Sequence, residues 1–170
     1  MDIYLDIKSL LAYEKITWVD PRNIHLTLAF LGDAGEERIM TAGLVLKREC
    51  SGFGEFDIVL YGTGMFKSRQ NPKVIWVGVR TSENLETLNS RIISGLISTG
   101  FNLEIRPFRP HITLGRVRSF KEPENIEKAV EKYRDHKLQV IRADKVTLFE
   151  SILKPDGPVY RPLGTFSLLF

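Results

Sequence analysis

Cysteine is nearly missing from this chain. Cys50 is the only one in 170 residues, so no disulfide can close within it, and the composition suits a reducing cytoplasm. No apolar run approaches the roughly 18 residues of a membrane-crossing helix. The charged start MDIYLDIK has no long apolar core of the kind that marks a signal peptide. The expectation is a cytoplasmic protein with no membrane partner. No low-complexity linker divides the chain, so 1–170 reads as one domain of two closely packed lobes. A glycine-rich phosphate loop is also missing: GTGMF, from Gly62 to Phe66, fits neither nucleotide fingerprint. The net charge of +3 is small; it permits a polyanionic partner without demanding one. Histidine is scarce too, with three in the whole chain.

Two of those three lie in the same tetrapeptide. His, an aliphatic residue, Thr and Leu occupy His25 to Leu28 and again His111 to Leu114. Around the first copy, NIHLTLAFL alternates: Ile24, Leu26, Leu28 and Phe30 share one face, and His25, Thr27 and Ala29 the other. A period of two predicts a strand with one buried face. HITL repeats it, with Ile112 and Leu114 inward, and Pro110 stands where a strand tolerates proline, at its start. Eight residues beyond each histidine comes a helix-capping type, Asp33 and Ser119, with Glu36 and Glu122 at capping-box spacing. The helices predicted from these caps run from Glu36 to Lys47 and from Pro123 to Arg134. Pro123 itself suits a first helical position and offers a rival start. Two strand–loop–helix units in one order point to an internal duplication.

Further strands are predicted at EFDIVLYGTGMF, KVIWVGV, LQVIRADKVTLFESIL and VYRPLGTFSLLF, all rich in β-branched and aromatic residues. SENLETLNSRIISGLIST reads as an amphipathic helix closed by Gly100. SRQNPK and KPDGP are turns by composition. The resulting fold class is α+β, with two pseudo-symmetric lobes of largely antiparallel sheet around a central cleft.

Residues two apart on a strand project from the same face, so each histidine has a threonine hydroxyl beside it. A free imidazole titrates near pH 6.5, so a facing pair can supply one base and one acid at neutral pH. The hydroxyls add hydrogen-bond donors without negative charge. That set suits a phosphodiester, which is an anion and needs one proton removed and another delivered. A lone His-x-Thr is ordinary strand polarity; it is the matched pair that points to chemistry. A metal site would use paired histidines differently, with helical spacing or a neighbouring carboxylate. Neither is present, so no metal or other cofactor is expected. His136, among charges in KYRDHKLQ, reads as solvated, and Cys50 as structural.

On these residues the sequence resembles the two-histidine phosphoesterase superfamily. More closely, it is similar to the RNA 2',3'-cyclic phosphodiesterases, also called 2'-5' RNA ligases. The similarity runs through WVDPRNIHLTLAFLGD, NPKVIWVGV, RPFRPHITLGRV and LFESILKPDGPVY. It implies a bilobal fold with the two motifs facing across a cleft, and RNA ends bearing a 2',3'-cyclic phosphate as partner. It implies catalytic roles for His25 as proton donor and His111 as acceptor, with Thr27 and Thr113 beside them. Arg116 matches an arginine that the family links to substrate phosphate. Strict alternation sets Arg116 opposite His111, so that role requires a bend at Gly115. One departure is plain: relatives have a first strand followed by a helix of several turns before the Trp-Val segment, and here only KSLLAYEKI, Lys8 to Ile16, separates the two, so that helix is expected to be short.

The implied reaction is hydrolysis of the cyclic phosphate to a 2'-phosphate by a monomer without a metal. The same site run backwards would join a 5'-hydroxyl to a cyclic end. Two other classes fit the residues: a non-catalytic RNA-binding module, and a two-histidine phosphodiesterase acting on small cyclic phosphates or 2'-5' oligonucleotides. Lys67, Arg69, Lys73, Arg106, Arg109 and Arg118 could form a cationic rim with Arg116. Phe66, Trp76, Phe108 and Tyr160 are candidates to stack a terminal base.

Overall fold

The computed structural model describes residues 2–66, 73–104, 106–119, 121–154 and 157–169. Helix α1 (Ile3–Leu10) opens the chain, its first amides at Tyr4 and Leu5 bonded to the Asp2 carboxylate. Strand β1 (Lys15–Trp18) follows. The short segment ahead of Trp18 thus holds a two-turn helix.

The rest of the chain alternates helices and strands: α2 (Glu36–Cys50), β2 (Phe56–Phe66), β3 (Val74–Val79), α3 (Glu83–Ser98), β4 (His111–Ser119), α4 (Pro123–Glu131), β5 (Lys137–Ala143), β6 (Lys145–Lys154) and β7 (Gly157–Ser167). β1-β4-β3-β2-β5 form an antiparallel sheet, and β6 and β7 a separate two-stranded one. The α+β expectation is met, with one lobe built on five strands and the other on a hairpin. α2 packs on α3 and on both strands of the hairpin, while α4 packs on α1 and β2. One apolar core joins them, through Ile75 and Val77 of β3, Ile112, Leu114 and Val117 of β4, and Leu85, Ile92 and Leu96 of α3.

Local signals explain most of these boundaries. α3 starts as read, with the Leu85 amide donating to the Ser82 hydroxyl at 3.3 Å, and Gly100 follows its end at φ +91°. The two capping boxes do not form. α2 begins at Glu36 behind Gly35, and α4 begins at Pro123 behind Glu122; neither cap has a side-chain hydrogen bond. Proline's preference for the first helical position decides the second start. Glu36 and Glu37 instead fill the first turn of α2, where negative charge meets the helix dipole favourably. α2 runs on to Cys50, and α4 stops at Glu131. The long run LQVIRADKVTLFESIL breaks at Asp144, and its halves join different sheets. The predicted turn at 68–73 lies outside the described residues except for Lys73, as do Pro155 and Asp156 of the other; Gly157 begins β7 at φ +125°.

Candidate functional site: two tetrapeptides paired on one sheet face

The second tetrapeptide begins β4, an interior strand with β3 on one side. Ile112 and Leu114 are buried, and His111 and Thr113 point to the other face, half-buried. His111 lies opposite Gly78 and Thr113 opposite Trp76.

The first tetrapeptide is not a strand. β1 pairs with β4 as far as Trp18 opposite Gly115, and the Val19 amide still donates to the Leu114 carbonyl at 2.8 Å. The chain then leaves the sheet in a short 3-10 turn, Pro21–Asn23. Asp20 caps that turn by accepting from Arg22, whose side-chain and backbone hydrogen bonds hold the Asp20 carboxyl down at about 2. The chain returns to β4 at one antiparallel bridge, Leu26 to Ile112. Beyond it, Asn89 of α3, itself buried, donates to the Leu28 carbonyl at 2.9 Å. Phe30, read as inward, is 83% exposed. The alternation signals an extended chain correctly, but only Leu26 meets a partner strand.

That bridge has a geometric consequence. Leu26 and Ile112 are the middle residues of His-x-Thr in both copies. In an antiparallel pair, directly opposite residues share a face and their neighbours share the other. With Leu26 opposite Ile112 on the core side, His25 comes opposite Thr113 and Thr27 opposite His111. All four side chains then emerge on one face. The two histidines stand on a diagonal, where antiparallel neighbours are roughly 7–8 Å apart.

The imidazoles are held alike. His25 Nδ1 lies 2.7 Å from the Asn23 carbonyl, and His111 Nδ1 lies 2.8 Å from the Arg109 carbonyl. A carbonyl can only accept, so each Nδ1 must carry the proton it donates. Nε2 of each ring is thereby left to gain or lose a proton. The duplication therefore extends to the carbonyl two residues before each histidine. Each ring also meets an aromatic edge-on: Phe66 lies 4.9 Å from His111, and Tyr160 4.7 Å from His25. Tyr160 and Phe149, 6.1 Å from His25, come from the β6–β7 hairpin, and Asn23 ties to the same hairpin through the Pro158 carbonyl. Asn89 and Phe149 carried no signal in the sequence, because their part depends on packing between distant segments.

Arg116 shares the face of the histidines. The β3–β4 register slips between Ile75 opposite Gly115 and Trp76 opposite Thr113, so Leu114 and Gly115 form a bulge. Leu114 and Val117 are both buried although three apart, and Arg116 is exposed beside His111 and Thr113. The bend needed at Gly115 is therefore present. It has to be glycine: a Cβ there would sit 2.8 Å from Ile16 Cγ2 and 3.1 Å from the Trp18 ring.

The remaining candidates divide. The Trp76 ring lies over Gly64, where a Cβ would fall well inside it. Phe108 packs against the core. Arg106 is ion-paired with Glu104. Lys67 and Arg69 lie outside the described residues. His136 is exposed in the turn before β5, beside Tyr133. Cys50 is fully buried, and burial with Glu49 nearby pushes its thiol up to about 11, so it is an inert core residue. Among the described residues, no three of His, Cys, Asp and Glu gather as a metal site.

An antiparallel α+β framework of this shape is found in crystallised proteins. One from Thermus thermophilus superposes with a TM-score of 0.81 at 25% identity, over 97% of this chain and 89% of that one. E. coli LigT does so with a TM-score of 0.72 at 25% identity, over 98% and 90%, and has also been crystallised with 3'-AMP. The chain belongs to the 2'-5' RNA ligase superfamily, whose family model matches residues 12–151. The RNA 2',3'-cyclic phosphodiesterase of Thermotoga maritima is 37% identical over 147 residues, 86% of this chain and 76% of the relative. The Archaeoglobus fulgidus protein of the same name is 33% identical over 160 residues, 94% and 88%.

Proposed function

We propose that this chain hydrolyses an RNA-terminal 2',3'-cyclic phosphate to a 2'-phosphate by histidine acid–base catalysis. The observation that carries the reading is the Leu26–Ile112 bridge, around which two identically tethered imidazoles and two hydroxyls share one face. The relatives' names supply the substrate class, and the LigT complex with 3'-AMP supports a nucleotide ligand for this fold.

His111 Nε2 takes a proton from water as the water oxygen bonds to phosphorus. The phosphorus–O3' bond breaks, and His25 Nε2–H protonates the departing O3'. The Nδ1 tethers suit both roles: the proton on Nδ1 fixes the tautomer and orients each ring, so that Nε2 is the nitrogen presented to the substrate. Thr27 and Thr113 donate to the nonbridging oxygens as their charge grows, and neither hydroxyl is engaged by another described residue. Arg116 meets the phosphate from the same face. Run backwards, with a 5'-hydroxyl in place of water, the steps give a 2'-5' linkage.

No step in this scheme uses a metal. An oligoribonucleotide ending in a 2',3'-cyclic phosphate should gain a terminal 2'-phosphate at the same rate with and without excess EDTA. Inhibition by EDTA that a divalent ion reverses would overturn the metal-free scheme; no turnover at all would overturn the reading itself.

A further inference from the structure

Most arginines in this protein are spoken for. Arg22, Arg48, Arg106, Arg134, Arg142 and Arg161 each pair with a carboxylate. Arg38, Arg80 and Arg91 lie over the rings of Phe101, Tyr61 and Phe53. Among the described residues the exceptions fall together, on β4 or just before it: Arg109, Arg116 and Arg118. Arg118 bonds only the Thr17 hydroxyl, at 2.9 Å.

Two of these extend the histidine face along β4. Thr17 of β1 is opposite Arg116, so its side chain is on the Arg116 face; Arg118 reaches that same hydroxyl and must lie there too. Lys15, two residues before Thr17, shares its face by alternation and is opposite Ser119. Arg116, Arg118 and Lys15 are all exposed, and none has a carboxylate partner among the described residues. No acidic residue of β1, β3 or β4 interrupts them. Glu14, the chain neighbour of Lys15, accepts hydrogen bonds from the amides of Lys121 and Glu122 at the far end and pairs with none of the three cations. Three uncompensated cations in line repel one another, a cost with no structural return unless an anion lies along them.

We infer that this stripe binds the phosphates that precede the cyclic end, so the RNA strand runs from the two-histidine site along β4 toward Ser119. The inference rests on the phosphodiesterase reading and narrows its substrate to oligonucleotides over mononucleotides. Lys15 and Arg118 are specificity residues that act on the strand, away from the reacting phosphorus.

The test is fluorescence anisotropy with a 5'-labelled oligoribonucleotide ending in a 3'-phosphate, titrated at several salt concentrations. For single strands the slope of log affinity against log salt changes by about 0.7 for each phosphate contact. Arg118→Ala and Lys15→Ala should each lower that slope by about 0.7, and Arg118→Lys should keep it. Lys128→Ala removes the same charge from α4, off the stripe, and should leave it unchanged. Arg118→Ala and Lys15→Ala slopes equal to that of Lys128→Ala would overturn the stripe. Hydrolysis of an oligoribonucleotide 2',3'-cyclic phosphate by the unmodified protein reports separately on the catalytic reading, so the two failures are told apart.

Discussion

At the scale of single residues, the site rests on two rings with matched tethers and unmatched neighbours. The Nδ1 bonds to the carbonyls of Asn23 and Arg109 are near copies, while Tyr160 stands beside one ring and Phe66 beside the other. Removing either imidazole should therefore slow turnover of the cyclic phosphate by roughly 10²–10⁴-fold. The double variant should lose far less than the product of the two, since groups that act as a unit are not additive. The pH–rate profile should be a bell, with His25→Ala and His111→Ala each deleting one limb. A single variant with near-normal turnover would refute the paired assignment. The sequence shows these four motif residues plainly, because a repeat is visible without coordinates. It cannot show the carbonyl tethers, which depend on backbone direction at residues 23 and 109.

At the scale of elements, the bulge in β4 decides what the site can hold. A strict strand would turn Arg116 into the core side and spoil the stripe beyond it. Gly115→Ala forces a Cβ against Ile16 and Trp18, a crowding that costs about 1–3 kcal/mol. The expected result is a lower melting temperature together with a raised KM for the oligonucleotide. Arg116→Ala should raise KM without the melting shift, which separates the two causes. Here the sequence was half legible. Gly115 between Leu114 and Arg116 signals a bend, but alternation around His25 signals a strand that is not there. Period two reports an extended chain, and whether such a chain finds a partner depends on the rest of the sheet. The same limit explains LQVIRADKVTLFESIL: its composition is strand throughout, and only the packing of residues around Asp144 divides it.

At the scale of the whole molecule, one core links both lobes, and Cys50 at the end of α2 is among its fully buried members. Its thiol is raised from 9.0 to about 11 by burial and by Glu49. A folded-state value above the unfolded one contributes stability that is complete below the unfolded value and is lost as pH rises through the folded one. Stability to denaturant should thus decline between pH 9 and about 11, less so in Cys50→Ala, and a thiol reagent should label the chain only as it unfolds. The fold class was legible from element order and composition. The sheet order and the unequal lobes were not, since they arise from pairings between segments far apart in the chain. The tetrapeptides also differ in how long each keeps its shape. His111 belongs to the continuous β3–β4 ladder, whereas His25 hangs on one bridge, Asn89 and a hairpin carbonyl. Half of the site can therefore melt on its own clock, since such regions open at a fraction of the global free energy. Deuterium should enter the amides of residues 24–31 well before those of 112–117. On warming, turnover should fail several degrees before the core does, and it should return on cooling without refolding.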